Sequence, residues 1–311
     1  MRIARIDLDG PVTAIVDGDR VRPLSGVTVL ELLAASPEDR DRLAEQAGDP
    51  VPDARLLAPL EPASVRDYSV FEQHGEGASM AIGGPDAKIS SAWYEMPAFY
   101  FSNPHATTGP DEVITPPAGT TGLDLELEVA AIVSRRGRNL ALGEADASIG
   151  GYTIFNDWSE RDIAAREAKM PFGFHKTKDF ANTFGPWIVT PDELEPYRHG
   201  DRLNLRMTAF VNGRELGGDT LASMAWGFPE LVAFAARGAW IAPGGVIASG
   251  TCGGGCLFEL WGRNHAKEPP PLKPGDEVRV EVEGIGTLTN TIGEPHPEPE
   301  PLPRARARVS A

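Results

Sequence analysis

Along residues 2–23, "RIARIDLDGPVTAIVDGDRVRP", apolar and polar positions alternate with period two, the spacing of half-buried strands. Asp-Gly pairs at 9–10 and 17–18 interrupt the alternation and predict short hairpins. The period then lengthens. "TVLELLAASPEDRDRLAEQAG" predicts helix, broken near Ser36-Pro37 and stopped by Gly48. A Pro-flanked connector, "VPDARLLAPLEP", follows. It places a boundary near residue 60 and a small N-terminal β-rich domain over residues 1–60. Beyond it strands predominate. They are expected at 97–102, 125–133, 152–156, 187–190, 203–212, 246–249, 256–261, 277–283 and 285–291, with Gly and Pro between them. Helices are expected in "SERDIAAREAKM", where Ser159 and Asp162 have capping-box spacing, and in "FPELVAFAARG", ending at Gly238. Residues 61–293 therefore read as mainly β with some α, a large β-sandwich or roll. The Pro-rich tail, residues 294–311, is poor in apolar residues and is expected to be disordered.

One strand breaks its own pattern. In "DLELEVAAIV", Asp124 to Val133, Glu126 and Glu128 point to one face while Leu125, Leu127 and Val129 point to the other. Two readings stay open on the residues alone. The strand is an edge whose polar face meets solvent, or the two carboxylates flank a cation that relieves their repulsion. Oxygen-only ligation selects a hard ion: Mg²⁺, Mn²⁺ or Ca²⁺. Such an ion needs further oxygens. Asp157, at the end of apolar "GYTIFNDW", and Asp67 in "SVRDYSVFEQH", seven residues before His74, are candidates.

The net charge of -16 and pI near 4.8 argue against nucleic acid or an anionic membrane as the main partner. A small anionic substrate stays compatible with local Lys, Arg or a metal. Cys252 and Cys256 in "TCGGGC" cannot close a four-ligand zinc site alone and read as small residues of a glycine-rich loop. The start, "MRIARIDLDG", has no long apolar stretch, so neither signal peptide nor membrane span is expected, and a cytoplasmic protein is.

The stretches "RDYSVFEQH", "YEMPAFYFSNP", "DLELEV", "FNDWSERDI", "KTKDFANTFGPWIVTPDEL", "SGT", "LFEL" and "LKPGDEVRVEVEGIGTLTN" occur in the order found in the fumarylacetoacetate hydrolase family. Over roughly residues 60–293 the chain resembles that family. The resemblance implies a metal, Mg²⁺ with Mn²⁺ or Ca²⁺ as alternatives, on Asp67, Glu126, Glu128 and Asp157. It implies His74 as the water-activating base, Glu259 as the acid that orients it, and Lys178 beside the metal, with Lys176 as the rival lysine. Tyr100, Gly250 and Thr251 fall at substrate-contacting positions. Arg161 is expected either to pair with a substrate carboxylate or to form a surface ion pair with Glu160 or Asp162. His105, His175, His199 and His265 have no supporting constellation.

The implied activity is hydrolysis of a carbon–carbon bond in a 1,3-dicarbonyl acid, such as an acylpyruvate or a fumarylacetoacetate-like compound, by a homodimer. Two departures bear on substrate. Family members commonly carry Tyr where this chain has Ser69, and Gln where it has Ala164. A decarboxylase, hydratase or tautomerase using the same enolate chemistry is the alternative. A non-catalytic metal-stabilised binding protein is a third reading, opposed by the joint presence of His74, Lys178 and Glu259.

Overall fold

The computed structural model describes residues 1–170 and 172–306. The N-terminal alternation becomes a meander, β1 (Arg2–Asp7), β2 (Pro11–Asp17) and β3 (Arg20–Pro23), followed by α1 (Val29–Ala34) and α2 (Pro37–Ala44). Ser36 caps α2 with Pro37 in its first turn, so the predicted break falls where a proline begins a new helix. The following segments are β4 (Ser64–Tyr68), α3 (Glu72–Gly83), β5 (Phe99–Ser102) and β6 (Leu127–Val133). After these come α4 (Leu142–Asp146), β7 (Ile149–Asp157), α5 (Arg161–Glu167) and β8 (Asn182–Val189). The chain continues through β9 (Arg206–Val211), β10 (Arg214–Thr220), α6 (Phe228–Ala235) and β11 (Gly245–Ala248). It closes with α7 (Leu257–Asn264), β12 (Glu277–Val282) and β13 (Gly286–Ile292).

The larger sheet runs β3-β2-β1-β8-β7-β6-β11-β4-β5, and the smaller runs β10-β9-β12-β13. Their facing sides share one core: Val129, Ala131 and Ile154 from the first sheet pack in the same cluster as Met207, Val280 and Leu288 from the second. The fold is thus mainly β with some α, two sheets packed face to face without a closed barrel, as the pattern predicts. The opposite face of the large sheet is covered too. Ala130, Ile132, Phe155 and Phe184 pack with Leu32 and Leu33 of α1. A strand covered on both faces has no need to alternate, which explains the near-continuous apolar run of β6.

β1 pairs antiparallel with β8 (Arg2↔Val189, Ile3↔Ile188), so the N-terminal meander extends the same sheet. Residues 294–306 carry no helix or strand, and the rest of the expected disordered tail, 307–311, lies outside the described residues. No helix of the described residues is long and apolar enough to cross a membrane.

Three expectations need correction. The segment 256–261 is the start of a helix, α7, not a strand. A short apolar run carries no decisive period, and the Cys256 side chain caps the helix by accepting from the Glu259 amide. The cap of α5 is Glu160, which accepts from the amides of Asp162 and Ile163, rather than Ser159; Ser159 instead faces Lys178. The helix α3 was not expected at all, since three glycines in "EQHGEGASMAIG" depress helix propensity.

A candidate metal and acid–base centre

The carboxylates converge because of strand register. β4 and β11 pair in parallel, with Asp67 opposite Ala248, and β5 places Tyr100 opposite Asp67 on the other side. β6 runs antiparallel to β7, with Glu128 opposite Phe155, so the start of β6 meets the end of β7 at Asp157. Asp67, Glu128 and Asp157 each bring a carboxylate oxygen within 4.8 Å of the other two, and all three are fully buried. The solvated-edge reading of this strand therefore fails. β6 has β7 on one side and β11 on the other, and Glu128 shares its face with buried Ala130 and Ile132.

Burial, and after it mutual repulsion, raises the pKa of Asp67 and Glu128 well above the ordinary carboxylate range. Burial raises that of Asp157 against the pull of Lys178. Oδ1 of Asp67 and Oδ1 of Asp157 are buried without a hydrogen-bond partner among the described residues. Unpartnered buried carboxylate oxygens are costly. A divalent cation satisfies them and cancels the repulsion, and an all-oxygen set suits a hard ion. The residues present fit such an ion.

Glu126 has a different environment from these three. One of its oxygens accepts from Arg161 Nη2 at 2.6 Å, and the other from Lys178 Nζ. Burial pushes its pKa up, but Lys178 and Arg161 outweigh that and hold it below the ordinary range. Lys178 also reaches Asp157 Oδ2 at 2.7 Å and Ser159 Oγ at 2.6 Å. Burial opposes its charge, but Asp157 and Glu126 keep its pKa above that of a free lysine. The rival, Lys176, is exposed and pairs with Asp179. The Tyr100 hydroxyl donates to Asp67 and Asp157. Burial first, and then those two acids, push its pKa well up, so it stays a neutral donor.

Arg161 pairs with neither Glu160 nor Asp162. Its guanidinium contacts Asp124 Oδ2 (2.6 and 2.9 Å) and Glu126 and lies over the Phe258 ring at 4.8 Å. The Gly250 amide donates to Glu128 Oε2 at 2.9 Å, and Thr251 Oγ1 lies 3.5 Å from Oε1. Gly250 has φ +78°, and a Cβ there would sit 2.2 Å from the Tyr68 carbonyl oxygen. Only glycine lets the amide come this close.

His74 sits in the first turn of α3. Its Nδ1 is 3.5 Å from Glu259 Oε2. Glu259 is fully buried and also accepts from the Gly254 amide (2.8 Å) and Arg263 Nε (2.9 Å). Burial raises its pKa, but His74, that amide and Arg263 together bring it below the usual value. Glycines explain how the two helices come close enough. A Cβ on Gly262 of α7 would lie 2.0 Å from the Gly77 carbonyl of α3, and one on Gly77 would lie 2.3 Å from Glu259 Cγ. Gly262→Ala is therefore expected to force the helices apart and to cost about 1–3 kcal/mol, the usual range for overpacking. Urea unfolding of the variant measures this, and a wild-type midpoint would rule out the close contact.

Sequence reasoning missed Asp124, Cys256, Ser159 and Arg263. Asp124 holds Arg161 and also accepts from the Leu257 and Phe258 amides at the start of α7 (2.8 and 3.0 Å). Its signal was present: it opens the same alternation as Glu126 and Glu128. Cys256 is buried and its Sγ lies 3.7 Å from His74 Nδ1; nothing in a glycine-rich run announces that.

His74, Asp67, Glu126, Glu128, Tyr100, Arg161, Lys178 and Thr251 all line one cavity of about 710 Å³, together with Ser69 and Ala164. His105, His175, His199 and His265 are exposed and do not line it.

Comparison with known proteins places the family and the fold. The family model described as fumarylacetoacetate (FAA) hydrolase C-terminal matches residues 65–293. Fumarylacetoacetase of Oryza sativa subsp. japonica is 26% identical over 317 residues, covering 82% of this chain and 73% of that protein. The oxaloacetate tautomerase FAHD2B, mitochondrial, of Homo sapiens is 31% identical over 182 residues, covering 58% of this chain and 54% of that protein. The solved fumarylacetoacetate hydrolase (EaFAH) of Exiguobacterium antarcticum superposes with a TM-score of 0.74 at 25% identity, over 94% of this chain and 99% of that one. With a model match spanning most of its length and the same fold throughout, the chain belongs to the fumarylacetoacetate hydrolase family.

Proposed function

We propose that this protein is a metal-dependent hydrolase that cleaves a carbon–carbon bond in a 1,3-dicarbonyl 2-oxo acid. The observation that carries the reading is the His74–Glu259 contact, 3.5 Å long, with His74 lining the same cavity as Asp67, Glu126 and Glu128. Asp67, Glu126, Glu128 and Asp157 are the residues to hold a divalent cation, Mg²⁺ by preference. When bound, the ion supplies positive charge against the carboxylates and against negative charge that develops on substrate oxygens.

The chain's own groups divide the remaining work. Glu259 stays ionised and accepts from the Nδ1–H of His74, which fixes the tautomer and leaves Nε2 free as a base. Nε2 removes a proton from water, and the hydroxide adds to the distal carbonyl carbon. Backbone amides near Gly250 and the Thr251 hydroxyl are donors for the resulting oxyanion. The carbon–carbon bond then breaks. Its electron pair leaves on the 2-oxo fragment as an enolate, next to the Lys178 ammonium, and His74 Nε2–H returns the proton to carbon. Tyr100 and Arg161 help fix the acid head.

A second reading is tautomerisation of a 2-oxo acid, favoured by the likeness to the human oxaloacetate tautomerase. The two differ in product. In H₂¹⁸O, hydrolysis of an acylpyruvate places ¹⁸O in the released carboxylic acid, whereas a tautomerase leaves every carbon–carbon bond intact. Absence of cleavage across an acylpyruvate panel with Mg²⁺ would remove the hydrolase reading.

A homodimer is expected on the same grounds. Tyr94, Met96 and Phe101 are exposed apolar side chains close together in sequence, the kind of surface that marks an interface. Light scattering should give twice the chain mass of 33.3 kDa; a single-chain mass at micromolar concentration counts against it.

A further inference from the structure

The buried polar groups of the cavity lie at one end, with the exposed Lys169 at its rim, and two helices make the gradient. On α3, His74, Ala78, Ala81 and Ile82 line it. They are spaced i, i+4, i+7 and i+8 and so share one face. On α5 and its cap the lining residues are Arg161, Ala164, Ala165 and Ala168, again one face. Each series opens with a polar residue beside the carboxylates and continues with small or aliphatic ones. At 1.5 Å per residue, the apolar wall extends ~12 Å from His74. Phe99 and Phe174 contribute further apolar surface.

Charge decides what this wall accepts. The Lys and Arg side chains that line the cavity are Arg161, Lys178 and Lys169. Arg161 is held by Asp124 and Glu126, and Lys178 by Glu126 and Asp157. Lys169 is exposed, where water screens it. Among the described residues, no buried unpaired cation awaits a second carboxylate on the substrate. Burying one against alanines would be costly. Methylene groups would gain by the same contact.

Resting on the functional reading above, we infer that the substrate is a monocarboxylic 2-oxo acid with an extended apolar acyl chain, rather than a dicarboxylic acid. The head sits at the carboxylates and His74; the chain lies between α3 and α5.

Binding tests this apart from turnover. Pyruvate, 2-oxobutanoate, 2-oxohexanoate and 2-oxooctanoate lack the cleavable 1,3-dicarbonyl, so their affinities in the presence of Mg²⁺ can be read by calorimetry. Kd is expected to fall about fourfold per added methylene, the gain from burying each CH₂. The dicarboxylic 2-oxoadipate is expected to bind more weakly than 2-oxohexanoate. Ala78→Phe should abolish the gain for 2-oxooctanoate and leave pyruvate binding intact. Ala168→Phe, at the exposed helix end, repeats the test at a position where folding is not at stake. If pyruvate binds but affinity stays flat with length, as it would were a second copy of this chain to cover the wall, the inference fails and the head-group reading stands. The same holds if 2-oxoadipate binds tightest. If no 2-oxo acid binds at all, the functional reading fails and takes the inference with it.

Discussion

His74→Ala should lower turnover of an acylpyruvate by about 10²–10⁴-fold, the usual contribution of a general base, while Mg²⁺ affinity and the Kd for pyruvate change little. The split follows from what each group touches. Under the proposed function the buried acids hold the cation, so their loss should harm binding and turnover together. The role proposed for His74 is on water, which a ground-state complex does not need, so its loss should appear in kcat. Glu259→Gln should give a smaller loss of the same kind, because the histidine remains but its Nδ1 partner is no longer an anion. Steady-state kinetics on the two variants, beside calorimetric Mg²⁺ binding, reads both effects. Wild-type turnover in His74→Ala would end the water-activation role, whatever the metal site proves to be.

Glu128→Ala should weaken Mg²⁺ or Mn²⁺ binding by more than the ~10–100-fold that loss of a merely outer-sphere partner costs. It removes a ligand charge and leaves the Gly250 amide without its acceptor. Affinity should also depend on pH with a definite sign. Burial, then repulsion, raises the folded-state pKa of Asp67 and Glu128. In the cation-free fold these acids keep protons that the unfolded chain has already released. Their contribution to stability therefore declines as pH rises above the ordinary carboxylate value toward the raised one. A cation displaces those protons, so its affinity rises with pH over that window. The increase in Tm on adding Mg²⁺ should accordingly be larger at pH 8 than at pH 5. A metal-induced shift that is the same at both, or Glu128→Ala protein that binds Mn²⁺ like wild type, removes Glu128 from the ligand set.

Some of this was legible in the sequence because it is local. Two glutamates two residues apart on a strand share a face whatever the rest of the chain does. The same rule, carried one step back, points to Asp124. The β-rich class was legible because alternation and turn residues are local too. The pairing of Arg161 with Asp124 and Glu126 was not. It joins residues 37 and 35 positions apart, and a helix-surface partner such as Asp162 looks equally good until the helix is placed. Glu259 was located by resemblance while its element was misread. A period-two reading of "CLFELW" sends Glu259 outward, whereas the helix turns it into the core against His74. α3 escaped notice because its three glycines depress helix propensity while Gly77 serves packing against α7, and packing partners 185 positions apart (Gly77 and Gly262) leave no mark in a window of sequence.

The parallel pairing of β4 with β11 sets the order in which the molecule can be assembled. Asp67 and Ala248 are register partners yet 181 positions apart in the chain. Parallel strands so distant bear the full loop-closure entropy before any contact rewards it. Asp67 is therefore brought to Glu128 and Asp157 only once the C-terminal third of the chain has been made and docked. A nascent chain released before β11 carries Asp67, Glu126, Glu128 and Asp157 but lacks the strand that Asp67 pairs against. Under the proposed metal assignment, cation capture would be a late event of synthesis, and the ion would act as a clamp on the finished fold rather than as a template for its beginning.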